Sequence, residues 1–148
     1  MAHAENEDFR TLKGYDLNSP HKVTYAMEDY LEMIYRYTRE DGYARISTLS
    51  QTLHVKPSSS SKMVQNLKDC GLVDYEKYGI IKLTQEGTKL GEYLLYRHET
   101  LNRFFCLLNH SQGELELTEQ IEHYITRDTL QNIEKLNALL TVIADFNP

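Results

Sequence analysis

The chain has 148 residues, a formal charge of −6, 41% apolar and 26% charged side chains. That is enough for one domain or two small connected sub-domains and is ordinary for a folded protein, which excludes a disordered polar chain. No apolar run nears the roughly 20 residues of a membrane span. The start, Met1-Ala2-His3-Ala4-Glu5, has no signal-peptide pattern, and Cys70 and Cys106 form neither a disulfide framework nor a metal knuckle. The expectation is a cytoplasmic protein, and the acidity taken alone argues against nucleic acid.

In chain order, residues 1–23 read as a polar arm. From Thr24 the spacing of Met27, Leu31, Ile34 and Tyr35 predicts a helix that Asp41-Gly42 stops. Ile46, Leu49 and Leu53 predict a short second helix. Pro57 suits the first position of a third, which runs through Met63, Val64 and Leu67 to Asp69. Leu72–Glu76 and Ile80–Leu83 flank Lys77-Tyr78-Gly79 and predict a β-hairpin. Thr84 opens a long helix carrying Leu90, Leu94, Leu101, Phe105 and Leu108. A polar break over 109–116 precedes a short helix from Thr118 to about Ile125. A last helix, capped by Asp128 or Thr129, carries Leu130, Ile133, Leu136, Leu140 and Ile143. The order helix, helix, turn, helix, hairpin, helix is that of a winged helix-turn-helix, which lays its recognition helix in the DNA major groove. The fold class is therefore mainly α: a winged helix-turn-helix over 24–92 and a helical domain over 93–148.

The charge is unevenly spread. Residues 44–92 carry seven basic and five acidic side chains, a net of +2, whereas 1–43 and 93–148 are each −4. Between Val55 and Lys68 lie three lysines and no acid. Ser58, Ser59 and Ser61 at the start of the third helix offer hydroxyls and backbone N–H groups to phosphates. Lys56, Lys62, Gln65 and Asn66 are types that contact phosphates or base edges, and Lys77 is expected at the wing tip. A capped polar helix with a solvated lysine face would contain the same residues; the wing beside it tips the reading toward DNA.

Carboxylates and histidines gather elsewhere. Asp29 and Glu32 share one face of the first helix, opposite its apolar stripe. Glu119, Glu122 and His123 stand at i, i+3 and i+4, and His98 interrupts the stripe of the long helix. Acids on a polar face are usually just solvated, and a lone histidine in a stripe is usually a hydrogen-bonded core residue. If the segments converge, four carboxylates with no Lys or Arg among them repel one another, and two divalent cations balance them. Oxygen and imidazole donors without thiolate suit Mn²⁺, Fe²⁺ or Zn²⁺. A metal joining the first helix to the C-terminal half would act as a switch. A di-metal hydrolase is the remote alternative, for which neither a phosphate-binding loop nor a nucleophile–base pair is present.

Seven stretches carry a family resemblance: Met27-Glu-Asp-Tyr-Leu-Glu-Met-Ile-Tyr35, Gly42-Tyr-Ala-Arg-Ile-Ser47, Val55-Lys-Pro-Ser-Ser59, Lys62-Met-Val-Gln65, Tyr75-Glu-Lys-Tyr78, Leu95-Tyr-Arg-His-Glu99 and Ile121-Glu-His123. In this order, over about residues 24–136, the chain resembles the diphtheria-toxin-repressor family and its manganese transport regulator branch. The resemblance implies a homodimeric repressor of metal-uptake genes that grips a palindromic operator when metal binds between its two domains. It implies metal ligands at Asp29, Glu32, His98, Glu119, Glu122 and His123, and Mn²⁺ as the ion. Iron-sensing relatives place Met and Cys where this chain has Asp29 and Glu119; an iron- or zinc-responsive repressor is the alternative. Ile133, Leu136, Leu140 and Ile143 offer an apolar face to a second copy, or to the chain's own core. The arm at 1–23 is longer than the branch's usual start, and with the sequence ending at Pro148 a third, SH3-like domain is not expected. Neither a membrane nor a small-molecule substrate is expected as a partner.

Overall fold

The computed structural model describes residues 23–76 and 79–146. The expected arm, apart from Val23, and the wing-tip Lys77 lie outside them. Among the described residues there are six α-helices and one two-stranded antiparallel sheet.

Helix α1 (Tyr25–Asp41) begins where Thr24 Oγ1 accepts the Met27 N–H at 3.2 Å. It ends at Gly42, whose φ of 84° lets its N–H reach the Thr38 carbonyl. Its inner face buries Met27, Tyr30, Leu31 and Ile34. Helices α2 (Ile46–Thr52) and α3 (Pro57–Asp69) follow, with Pro57 in the first turn of α3. Strands β1 (Val73–Tyr75) and β2 (Ile81–Leu83) pair Val73 with Leu83 and Tyr75 with Ile81, and Ala44 bridges to Ile81. Leu31, Ile34, Leu49, Val64, Leu67, Ile81 and Leu94 close the core between these elements. Each fully buried Leu or Ile contributes roughly 1.5–3 kcal/mol.

Helix α4 (Gln85–Asn109) is capped by Thr84, and the expected boundary at 92/93 falls inside it. It lies close against its neighbours at two glycines. A Cβ on Gly87 would stand 1.8 Å from the Leu72 carbonyl oxygen, and one on Gly91 would stand 2.8 Å from Tyr35 Cβ. Helix α6 (Arg127–Phe146) docks on α4 through buried Leu130, an Asn137 amide donating to the Thr100 carbonyl at 3.0 Å, and Arg103 donating to Thr141 Oγ1 at 2.8 Å.

Three local expectations change. The short helix α5 spans Leu115–Ile121 rather than starting at Thr118, because Asn102 Oδ1 takes the Glu114 N–H and the Glu114 carbonyl accepts from Thr118. The chain then tightens into a 3₁₀ turn over Glu122–Tyr124. The cap of α6 is Thr126, whose Oγ1 accepts the Thr129 N–H, not Asp128 or Thr129. On α6 the apolar stripe divides. Ile133 and Leu140 are half-buried, whereas Leu136 and Ile143 are exposed with Leu139 and Val142.

Candidate metal centre and DNA-facing surface

Three elements meet at one place. Helix α1 supplies Glu28, Asp29 and Glu32, α4 supplies Arg97 and His98, and the 3₁₀ turn supplies Glu122 and His123. Donor atoms of Asp29, Glu122 and His123 all lie within 4.8 Å of one another, as do those of Glu32, His98 and Glu122. Glu122 is common to both groups and only 3% exposed. His123 Nε2 stands 3.1 Å from Asp29 Oδ1, and His98 Nδ1 stands 3.0 Å from Glu122 Oε2 and 4.0 Å from Glu32 Oε1. Bonds from a first-row cation to oxygen and nitrogen run about 2.0–2.2 Å, so donors around one ion sit about 3–4 Å apart. The pairs at 3.0, 3.1 and 4.0 Å have that spacing, the remaining ones lie within 4.8 Å, and the donor types suit such an ion.

Five of the six residues expected as ligands come together. Glu119 does not join them: it is exposed on α5 and in neither group. The spacing argument assumed a continuous helix, but the 3₁₀ turn has three residues per turn and swings Glu122 and His123 round relative to α5.

The expectation of a cluster without cations is also corrected. Arg97, 5% exposed, holds Glu28 Oε2 at 2.8 Å, and Arg36 meets Glu32 Oε2 at 3.3 Å. Glu28 itself was not foreseen, nor was Tyr25, whose ring stacks on the His123 imidazole at 4.9 Å and 17°. Glu28 was legible as the neighbour of Asp29 on the same turn, and Arg97 as the neighbour of His98. What the sequence lacked was which way each points.

The ionisation of the site follows from these contacts. Burial pushes the His123 imidazole down, but the close contact with Asp29 and the negative charge of Asp29 and Glu28 outweigh it and raise its pKa to about 9. The hydrogen bond to Glu122 raises that of His98 against the effect of burial. Glu32 is raised by burial and by the charge of Glu122, with His98 and Arg36 offsetting part of it. Glu28 is held below the usual carboxylate range because His123 and Arg97 overcome its burial.

The second surface is built on α3. Lys56, Ser58, Ser59, Lys62 and Gln65 are exposed along it, and Ser61 is half-buried with its hydroxyl 3.3 Å from Tyr75 Oη. Gln65 donates to Asp69 within the helix at 3.0 Å. Ser60 turns inward, 2.9 Å from Ser50 Oγ and 3.4 Å from Tyr30 Oη, so α1 touches the first turn of α3. A groove of about 460 Å³ runs between α2, α3 and the hairpin, lined by Arg45, Ser47, Ser58, Ser61, Tyr75 and Gly79 among others. Arg45 and Ser47 were not singled out from sequence, although Arg45 contributes to the basic segment.

Comparison with known proteins decides the family. The model of the iron dependent repressor N-terminal DNA-binding domain matches residues 22–81. The HTH-type transcriptional regulator MntR of Oceanobacillus iheyensis is 40% identical over 114 residues, which are 76% of this chain and 78% of that protein. The chain belongs to the diphtheria-toxin-repressor family, on its manganese transport regulator branch. MntR of Shouchella clausii is 42% identical over 114 residues, 76% of this chain and 80% of its own. The solved structure of the manganese regulator SloR superposes with a TM-score of 0.66 at 26% identity, covering 74% of this chain and 52% of that one. The chain thus spans about half the length of that structure. The protein is a DNA-binding, metal-responsive transcriptional regulator and not an enzyme, which sets the hydrolase alternative aside. Among the described residues no helix is long and apolar enough to cross a membrane.

Proposed function

We propose that the chain is a Mn²⁺-activated repressor, binding two ions per protomer and gripping a palindromic operator as a homodimer. The observation that carries this is the pair of donor groups sharing Glu122, each a set of two carboxylates and one imidazole. Asp29, Glu122 and His123 hold one ion; Glu32, His98 and Glu122 hold the other. Glu119 is a further ligand only if α5 turns it inward. Carboxylate-rich donors favour a harder ion, in line with the name of SloR as a manganese regulator. Iron- or zinc-responsive repression is the reading to be beaten, since those ions bind N/O sites of this kind at least as tightly.

When bound, a divalent cation supplies positive charge between carboxylates of opposite halves of the fold. Asp29 and Glu32 belong to α1, on whose other face the core of the winged segment, residues 24–92, is packed. His98, Glu122 and His123 belong to the helical segment, residues 93–148. Drawing the two sets together fixes α1, and through the Tyr30–Ser60 contact the start of α3. On α3, Lys56, Ser58, Ser59, Ser61 and Lys62 contact phosphates, Gln65 reaches base edges, and Lys77 of the wing tip meets the backbone. The exposed Leu136 and Ile143 join with Leu139 and Val142 as the outer face for a second copy, while Ile133 and Leu140 support it from within. A cytoplasmic location follows from a DNA partner.

The direct test is operator binding titrated with Mn²⁺, Fe²⁺ and Zn²⁺, with sedimentation to count protomers on the DNA. Mn²⁺-selective activation with two protomers per operator is expected; binding indifferent to metal, or by a monomer, overturns the reading. Lys62→Ala should weaken operator binding and lower the salt slope by about 1 without altering metal affinity. An unchanged slope removes Lys62 from the phosphate contacts.

Metal uptake should also release protons. His123 is protonated below about pH 9 in the metal-free chain, yet a ligand imidazole needs a bare nitrogen. Apparent metal affinity therefore rises with pH up to about 9 and levels off above it. At pH 7.5 the calorimetric enthalpy of Mn²⁺ binding should vary with the ionisation enthalpy of the buffer, with a slope of about one proton or more. An enthalpy independent of buffer contradicts this.

A further inference from the structure

The face of His123 turned away from Asp29 is occupied by an ion pair that metal binding itself leaves unused. His123 Nδ1 stands 3.9 Å from Glu28 Oε2 and 3.3 Å from Arg97 Nη2, while Arg97 holds that same Glu28 oxygen at 2.8 Å. Both side chains are largely buried, and Tyr25 stacked on the imidazole limits rotation of its ring. Nε2 points the other way, toward Asp29.

We propose that Glu28, fixed by Arg97, is the positioning carboxylate of His123, accepting its Nδ1–H so that Nε2 is the nitrogen offered to a cation. An imidazole coordinates through the nitrogen that carries no hydrogen, and a partner for its other nitrogen decides which one that is. Arginine has only donors, so Arg97 alone would stabilise the opposite tautomer, with Nδ1 bare and the proton on Nε2 beside Asp29. Glu28 is the one acceptor of this ion pair. Its 3.9 Å separation is that of a charge pair, outside the 2.7–3.2 Å of a hydrogen bond, so Glu28 must close on Nδ1 as Arg97 Nη2, which donates to it at 3.3 Å, gives way. Arg97 keeps Glu28 neutralised and in place, which prevents the carboxylate from turning toward the cation as a competing ligand.

This inference rests on the reading that Asp29, Glu122 and His123 hold an ion, and its test separates the two. The full chain is loaded with diamagnetic Zn²⁺, and long-range ¹H–¹⁵N spectra identify the protonated nitrogen of His123. Zn²⁺ and Mn²⁺ affinities are measured by calorimetry for wild type, Glu28→Ala, Glu28→Gln and His123→Ala. The expected results are a proton on Nδ1 in wild type and an affinity about 10–100-fold lower in Glu28→Ala. Glu28→Gln, which keeps an acceptor oxygen and the shape of the side chain, should recover most of that loss. This rescue distinguishes positioning from bulk stability, and Glu28→Gln carries the comparison if Glu28→Ala folds poorly. Coordination through Nδ1, or wild-type affinity in a folded Glu28→Ala, overturns the role of Glu28 while leaving the metal site standing. Wild-type affinity in His123→Ala overturns both.

Discussion

Replacing Glu122 with glutamine should abolish the metal response while leaving the fold intact. Glu122 is the residue shared by the two donor groups, so one substitution should weaken both proposed ion sites at once, whereas Asp29→Asn reaches only one group. Glutamine keeps the size of the side chain and can still pair with His98, now 3.0 Å from the carboxylate. What it removes is a negative charge at a site 3% exposed to solvent, where charge is felt most strongly. Coupling between an effector and a second ligand is typically worth 5–150-fold in affinity, and that whole gain in operator binding should vanish. Calorimetry with Mn²⁺ should show both binding events lost or weakened by at least about 100-fold, more than removal of an outer partner costs. Fluorescence anisotropy of a labelled operator should then give one curve with and without metal. A variant that still answers to Mn²⁺ would show that the shared carboxylate is not the junction of the site. The thermal midpoint of the metal-free variant should stay within a few degrees of wild type, because the substitution removes mutual repulsion with Glu32 as well as attraction to His98.

Gly87→Ala carries the largest expected effect on stability, about 3 kcal/mol of loss, at the upper end of what overpacking costs. The added methyl would sit 1.8 Å from the carbonyl oxygen of Leu72 and 2.8 Å from its carbonyl carbon. These are backbone atoms, and the Leu72 carbonyl is already held by the Thr84 N–H at 3.1 Å. Neither partner can move aside without breaking the cap of α4. The roughly 1 kcal/mol by which alanine favours a helix over glycine does not make up the difference. Thermal unfolding should shift down by about 10 °C. Gly91→Ala is the natural comparison: its methyl would meet Tyr35 Cβ at 2.8 Å, a milder overlap than 1.8 Å with a carbonyl oxygen, and the ring carbons at 2.9 Å can turn aside, so the shift should be smaller. Equal or greater stability in Gly87→Ala would show that the Leu72 backbone and α4 can separate without harm.

The fold was readable wherever a local signal ends an element. Thr24, Gly42, Pro57 and Thr84 stand where the structure starts or stops its helices, because caps and fixed φ values depend on one or two residues alone. The 115–126 stretch was not readable in the same way. Its helix start depends on Asn102, thirteen residues before Leu115, and no pattern within the segment announces the 3₁₀ turn. The metal centre divides similarly. Asp29, Glu32, His98, Glu122 and His123 stand out by chemistry and spacing. Arg97 and Glu28 are ordinary helix residues in sequence, and only the approach of separate elements makes them partners of each other and of His123, whereas Arg36 was legible as the i, i+4 partner of Glu32. Glu119 shows the opposite case: its i, i+4 relation to His123 is real in sequence and is undone by one change of helical pitch.

Helix α1 presents its acidic residues on one side and Met27, Tyr30, Leu31 and Ile34 on the other. The same seventeen residues therefore hold two sets of instructions that do not overlap. With Asp29 and Glu32 as the proposed ligands, exchanging either for another ligand type would alter what the protein senses and leave untouched the packing of Tyr30 against Ser60 at the start of α3. With Gln65 as the proposed base reader, changing it would alter which DNA is read and leave the sensor as it was. On that assignment a lineage built on this fold would acquire a new effector and keep its DNA target, or the reverse, by separate substitutions.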